Sequence, residues 1–295
     1  MRKLIIGMWH SVNVEEWNQL NMGMINGLEA SQYEKEEDWN KLRDFCNENN
    51  ISYGIHSPIY GNKKMNLPEI TSSDAEKRRE AEKWIEREVE LASKFGADYI
   101  LFHYPFPSIT PRQVDYEYWP RKVDFPTLKW NELSREEFLN LSHHIFKRLM
   151  DIQEKYKQKI VLEYDFFGEY EEEYLQIIEM YKDIQIVIDT QRLDVHKRAF
   201  PGFDPYPFLR KAAPYVYLVH HSTTLYSEHS KRHVPVIRES IDDPQYGDAH
   251  QYLVYLSKYN QTFHLHFEHN PTLVTEDQLK ECYELARQVM FQRNS

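Results

Sequence analysis

Lys159-Ile-Val-Leu-Glu163, a helical pattern over residues 170–182 and Gln185-Ile-Val-Ile-Asp189 follow one another directly in the chain. Both flanking runs are short, apolar and β-rich in the middle, and both end on a carboxylate. A continuous apolar run of this length reads as a strand buried on both faces. The span between them suits a crossover helix. Strand, helix and strand in that order imply parallel pairing with a right-handed crossover.

The same rhythm extends in both directions. Upstream lie Leu4-Ile-Ile-Gly7, Ile25-Asn-Gly-Leu-Glu29, Ser52-Tyr-Gly-Ile-His56 and Tyr99-Ile-Leu-Phe-His103. Downstream lie Tyr215-Val-Tyr-Leu-Val-His220 and Phe263-His-Leu-His-Phe-Glu268, which makes eight candidate strands. Helix starts are marked between them. Ser73-Asp-Ala-Glu76, Ser134-Arg-Glu-Glu137 and Thr275-Glu-Asp-Gln278 each spell a capping box, and Gly96 offers a left-handed C-cap. Weaker helical patterns cover 38–49 and 246–258. Eight strand–helix units in 295 residues fit an α/β fold, a single (β/α)8 barrel spanning 1–295, better than an open doubly wound sheet. One segment departs from the rhythm. The stretch after the fourth strand, residues 104–133, is long and rich in proline and aromatic residues, and reads as a lid or a homodimer contact.

Composition narrows the function. With 36 Lys+Arg against 47 Asp+Glu the formal charge is -11, which disfavours unspecific nucleic-acid affinity. Nine glycines and no GxGxxG or GxxxxGK[ST] pattern leave the common nucleotide-binding loops unindicated. No window approaches a membrane span, and the N-terminus carries no cleavage-site pattern, so the expectation is a cytoplasmic protein. Cys46 and Cys282 stand far apart and read as two reduced thiols rather than a disulfide or metal pair. The 14 histidines are the surplus that needs explaining.

Six strand runs end on a side chain that can bind a metal: His56, His103, Glu163, Asp189, His220 and Glu268. In a parallel barrel all strand C-termini converge on one face, where active sites are built. Imidazole mixed with carboxylate suits Zn or Mn first, with Mg, Co or Fe as further candidates. Glu163 is the most plausible carboxylate to bridge two ions. A slip of one residue would exchange His220 for His221. Trp9-His10 ends the first strand and reads as a pocket wall, while Glu29 reads as structural or as a support to a ligand. His264 and His266 share a face with Glu268, either as core histidines or as substrate contacts. His196, just past Arg192, could replace a missing ligand.

His56-Ser-Pro-Ile-Tyr with Asn66-Leu resembles the His-Ala-Pro-Tyr…Asn-Leu element of the endonuclease IV branch (AP endonuclease family 2) of the xylose-isomerase-like TIM barrels. Residues 77–103, Val161-Leu-Glu163, Ile188-Asp-Thr190, Val219-His220 and Phe267-Glu268-His-Asn-Pro271 resemble the later positions of that superfamily. Arg232-His233-Val-Pro235 resembles its Asp-Arg-His segment. The resemblance implies a first ion on His56, His103 and Glu163, and a second on Glu163, Asp189, His220 and Glu268. The last four are also the single-metal set of the superfamily's sugar isomerases and epimerases, whose two glutamates double as acid and base.

Two departures bear on chemistry. Asp189-Thr-Gln-Arg192 stands where the nuclease pattern has Asp-x-x-His, and Lys231-Arg-His233 where it has Asp-x-His. Cations at Arg192 and Lys231 would supply fixed positive charge in place of a third ion, favouring an anionic small-molecule substrate. The leading expectation is a divalent-metal-dependent isomerase or epimerase of a sugar or sugar phosphate, with Glu163 and Glu268 moving the proton. Arg192, Lys231, His233, Trp9 and His266 would face its substrate. An endonuclease IV-like phosphodiesterase acting on abasic-site DNA is the rival, and a non-catalytic binding barrel the third reading.

Overall fold

Side chains on a strand alternate faces, so every second residue of these runs points into whatever the strands enclose. In the computed structural model, which describes residues 2–61, 67–109, 133–200, 202–227 and 230–291, they enclose a barrel. Its strands are β1 (Leu4–Trp9), β2 (Gly27–Ser31), β3 (Ser52–His56), β4 (Ile100–Tyr104), β5 (Ile160–Tyr164), β6 (Gln185–Asp189), β7 (Val216–His221) and β10 (His264–Phe267). All neighbours are parallel, and β10 closes onto β1 with Leu265 opposite Leu4. The boundaries differ from the sequence reading by a residue or two, because β-propensity marks where a strand packs rather than where its ladder ends.

Helices α1 (Val14–Asn21), α2 (Glu36–Asn49), α3 (Ala75–Phe95), α4 (Arg135–Tyr156), α5 (Glu171–Met180), α6 (Thr190–Ala199), α7 (Pro205–Ala212), α8 (Ala249–Ser257) and α9 (Glu276–Phe291) are also among the described residues. The Ser134 capping box forms in full, and Gly96 ends α3 at φ 78°. The box expected at Ser73 does not: Asp74 is the N-cap, accepting from the Glu76 amide. A carboxylate one residue later makes the better charge-assisted cap at a helix N-terminus. Helices α1, α6 and α7 and a short antiparallel ribbon, β8 (Thr223–Leu225) with β9 (Lys231–Val234), were not legible from the periodicity. Residues 110–132, which hold most of the expected lid or dimer segment, and Asn66 lie outside the described residues.

Two hydrophobic layers result. A large one joins the outer strand faces to the helices, including Trp39, Leu42, Val89, Phe102, Phe138, Leu162 and Ile188. A small one fills the inside of the barrel with Ile5, Tyr99, Leu101, Val161, Val187 and Leu218. Gly54 is required here, since a Cβ on it would meet the Tyr99 ring at 2.0 Å. Two residues further along the same faces the interior turns polar: Glu29, His56, His103, Glu163, Asp189, His220 and His266. The apolar layer is thus a floor beneath a polar one. Both cysteines are buried and unpaired, as expected. No helix is long and apolar enough to cross a membrane, among the described residues.

His196 does not reach the polar layer. It is buried on α6 against Phe203 (ring centroids 3.9 Å) and Phe200 (4.3 Å), with the Tyr164 hydroxyl on its Nδ1. Burial pushes its pKa down to about 3. Between pH 6.5 and 3 the unfolded chain therefore binds a proton that the folded chain refuses, so stability falls as pH drops through that window. At pH 5 this one residue costs about 2 kcal/mol. Urea midpoints of the His196→Phe variant should show a correspondingly smaller acid loss. An unchanged pH slope would contradict this account.

Candidate metal centre

Each ligand candidate is oriented by a partner behind it. His56 ends β3, and its Nδ1 sits 2.8 Å from the Ser57 carbonyl, so Nδ1 carries the proton and Nε2 is free to face the barrel axis. Ser57 is fixed in turn by Glu88 of α3, which accepts from the Ser57 hydroxyl at 2.5 Å and the Ile59 amide at 3.0 Å. His103 is set by Asp165, whose Oδ2 lies 3.3 Å from His103 Nδ1. A carboxylate behind an imidazole fixes its tautomer and raises its basicity as a ligand. The two free Nε2 atoms then converge on Glu163 Oε2, at 3.4 Å from His56 and 3.3 Å from His103.

Glu163 is 1% exposed, yet neither of its oxygens has a hydrogen-bond partner. Burial by itself would raise its pKa, but His103, Arg192 and His220 around it hold it well below the usual carboxylate range. An ionised carboxylate without a hydrogen bond, turning one oxygen to two imidazole nitrogens, is a donor set that could hold a divalent ion. Ligands 2.0–2.1 Å from a tetrahedral ion stand about 3.3 Å apart, close to both separations here. His56, His103 and Glu163 therefore fit the ion that the resemblance implies.

The other implied set is arranged differently. Asp189 caps α6, its Oδ1 accepting from the Gln191 amide (2.8 Å) and the Arg192 amide (3.1 Å). His220 Nδ1 lies 3.5 Å from Glu163 Oε1 and 3.6 Å from Glu268 Oε2. On its far side His220 Nε2 is 3.2 Å from Glu29 Oε1, and the Tyr99 hydroxyl donates to Glu29 Oε2 at 2.7 Å. Among the described residues, the groups whose donor atoms close on one another are His56–His103–Glu163 and Glu29–His220–His266. Asp189 and Glu268 belong to neither.

Arg192 explains the gap. It stands three residues beyond Asp189, and side chains one turn apart on a helix meet. Its Nη1 is 2.7 Å from Asp165 Oδ2, its Nη2 3.5 Å from Glu163 Oε1 and its Nε 3.5 Å from Asp189 Oδ2. Burial would lower its pKa, yet Asp165, Glu163 and Asp189 together raise it above the ordinary arginine value.

The remaining candidates separate cleanly. His220, not His221, faces the centre: His221 packs outward near Thr190 and Phe267, and burial pushes it down to about 3. Trp9 is partly exposed, with its ring 5.6 Å from that of His56. His233 stands at positive φ (51°) with Nδ1 3.1 Å from the Glu268 carbonyl oxygen. His266 is fully buried, its ring 4.7 Å from that of its register partner His220 and its Nδ1 3.6 Å from Glu29 Oε1, a core position rather than an exposed one. Burial pushes it down to about 4. Lys231 is exposed at the first residue of β9 and is not brought into the cluster with Arg192. Both cations were expected together because they stand at ligand positions of the nuclease pattern, but the β-ribbon carries Lys231 elsewhere. Asp165 escaped the sequence reading although it stands two residues past Glu163, on the same face by strand alternation.

The comparisons agree with this architecture. The family model described as xylose isomerase-like TIM barrel matches residues 21–246. A protein of Thermus thermophilus soaked with zinc chloride superposes with a TM-score of 0.64 at 17% identity, covering 97% of this chain and 98% of the other. The 3-keto-D-glucoside 4-epimerase of E. coli gives 0.58 at 13% identity, over 97% and 99%. Endonuclease IV of Thermus thermophilus gives 0.54 at 10%, over 98% of both chains. At such identities these structures share the fold alone. A search of curated proteins finds no match.

Proposed function

The chain belongs to the xylose isomerase-like TIM barrel family, and from that premise we propose a divalent-metal-dependent isomerase or epimerase of a small, sugar-like compound. One observation carries the reading. Glu163 on β5 and Glu268 just beyond β10 approach the same His220 nitrogen, at 3.5 and 3.6 Å, and each presents a buried oxygen without a hydrogen-bond partner. Two carboxylates around one space can remove a proton from carbon and return it.

His56, His103 and Glu163 would hold the ion, preferentially Zn or Mn. When bound, it supplies polarisation of a carbonyl and its neighbouring hydroxyl. The chain's own groups do the rest. Glu163 turns Oε2 to the two histidines and leaves Oε1 towards His220 and Arg192. Glu268 would take the proton. Burial would raise its pKa, and His220 with His233 holds it down to about 2. Burial would lower the pKa of His220, yet Glu29, Glu268 and Glu163 raise it well above the usual imidazole range, so Glu268 faces a cation and stays ionised. Arg192 would stabilise negative charge developing on a substrate oxygen, and the apolar floor beneath keeps water out.

The test is solvent exchange. A panel of aldoses, ketoses and their phosphates, incubated with Zn- or Mn-loaded protein in D2O, should include a compound that takes up deuterium beside its carbonyl. A panel that exchanges nothing, with abasic-site DNA cleaved instead, would favour the phosphodiesterase reading. The closed His56–His103–Glu163 group is the observation on that side. The buried guanidinium at Glu163 and the chain's charge of -11 weigh against it.

A further inference from the structure

Four side chains were expected to share a second ion, and three of them are already engaged. Asp189 spends Oδ1 on the α6 amides and turns Oδ2 to the Arg192 guanidinium. Glu163 turns Oε1 to the same guanidinium, at 3.5 Å. His220 offers Nδ1 to Glu163 and Glu268 but commits Nε2 to Glu29. The guanidinium is anchored from behind by Asp165 at 2.7 Å, and that carboxylate is itself held by the Ser108 hydroxyl (2.9 Å) and the Phe166 amide (2.8 Å).

We infer that Arg192 is a built-in cation that takes the place of a second divalent ion and makes this a one-ion centre. The inference rests on the metal-dependent reading above. Ions in two-metal sites stand roughly 3.5–4 Å apart on a shared carboxylate. Here the shared carboxylate would be Glu163, whose Oε2 faces the two histidines and whose Oε1 faces Arg192. Positive charge thus already stands on the side where a second ion would bind, and a guanidinium stays protonated at any working pH. Its placement is a local consequence of sequence. Asp189 must cap α6, and a side chain at the third position of that helix folds back over its cap. A site so arranged pairs one exchangeable ion with one fixed charge. The fixed charge donates hydrogen bonds in a plane, which suits a carboxylate, phosphate or developing alkoxide on the substrate.

Metal stoichiometry tests this without reference to activity. Metal-free protein dialysed against a slight excess of ZnCl2, then analysed for zinc per chain, should hold one ion. Arg192→Lys, which keeps the charge, should also hold one, whereas Arg192→Gln should hold two. Two ions in the wild-type chain would overturn the inference and leave the metal-dependent reading standing. So would a single ion in a folded Arg192→Gln variant. No retained ion in the wild type would overturn both.

Discussion

Glu163→Gln should strip the site of its ion and lower turnover by about four orders of magnitude, the upper range for loss of a proton-transfer group combined with loss of a ligand. The reasoning starts from charge. Two imidazoles bind a divalent ion weakly unless an anionic ligand completes the set, and Glu163 is the anion both histidines face, at 3.4 and 3.3 Å. An amide of the same shape keeps the packing and removes the charge. The fold should survive, since Arg192 retains Asp165 and Asp189 as partners and the β5 ladder is untouched. Elemental analysis after dialysis, beside a thermal melt, would read both halves. A variant that keeps its zinc and its turnover would sink the assignment of Glu163 to either role.

Glu268→Gln should behave differently, losing about a thousandfold in turnover while retaining the ion and a near-normal KM. Glu268 stands outside the His56–His103–Glu163 group, and its contacts are to His220 and His233. Its removal therefore takes away a proton carrier and leaves the ligands in place. Deuterium uptake into substrate should fall in step with turnover. Loss of the ion together with turnover would instead make Glu268 a ligand. The ion would then belong among Glu163, Asp189, His220 and Glu268, and the one-ion arrangement around Arg192 would fail with it.

How far the chain could be read varies with the reach of each pattern. Eight strand runs were legible because strand alternation and apolar content are local, and all eight form ladders in the closed barrel. The polar strand ends were legible for the same reason, as the termination of an apolar run on His or Glu is visible within five or six residues. Helix α6 was missed because its face is mixed: Thr190, Gln191, Asp194 and His196 are all buried. Asp194 is one reason, since it accepts from the Tyr226 and Tyr252 hydroxyls and the Asp248 amide, partners 32 to 58 residues away. No window of sequence displays such a network. His196 and His266 misled for a related reason. Each is a histidine near the right face, yet one is sealed among aromatic rings and the other is fully buried against His220 and Glu29.

Local patterns sufficed for the barrel, its strand order and the row of histidines and carboxylates at the strand ends, since alternation and helical period are properties of neighbours along the chain. How that row divides depends on contacts made through space. Closure of β10 onto β1 sets His266 and Glu29 against His220, and the turn from β6 into α6 swings Arg192 back against Asp165, Glu163 and Asp189. Those separations are set across strands and between layers, where ion pairing falls with distance through space and is indifferent to distance along the chain. The same physics sent Lys231 away on a ribbon and kept Arg192, two cations that looked equivalent in the sequence.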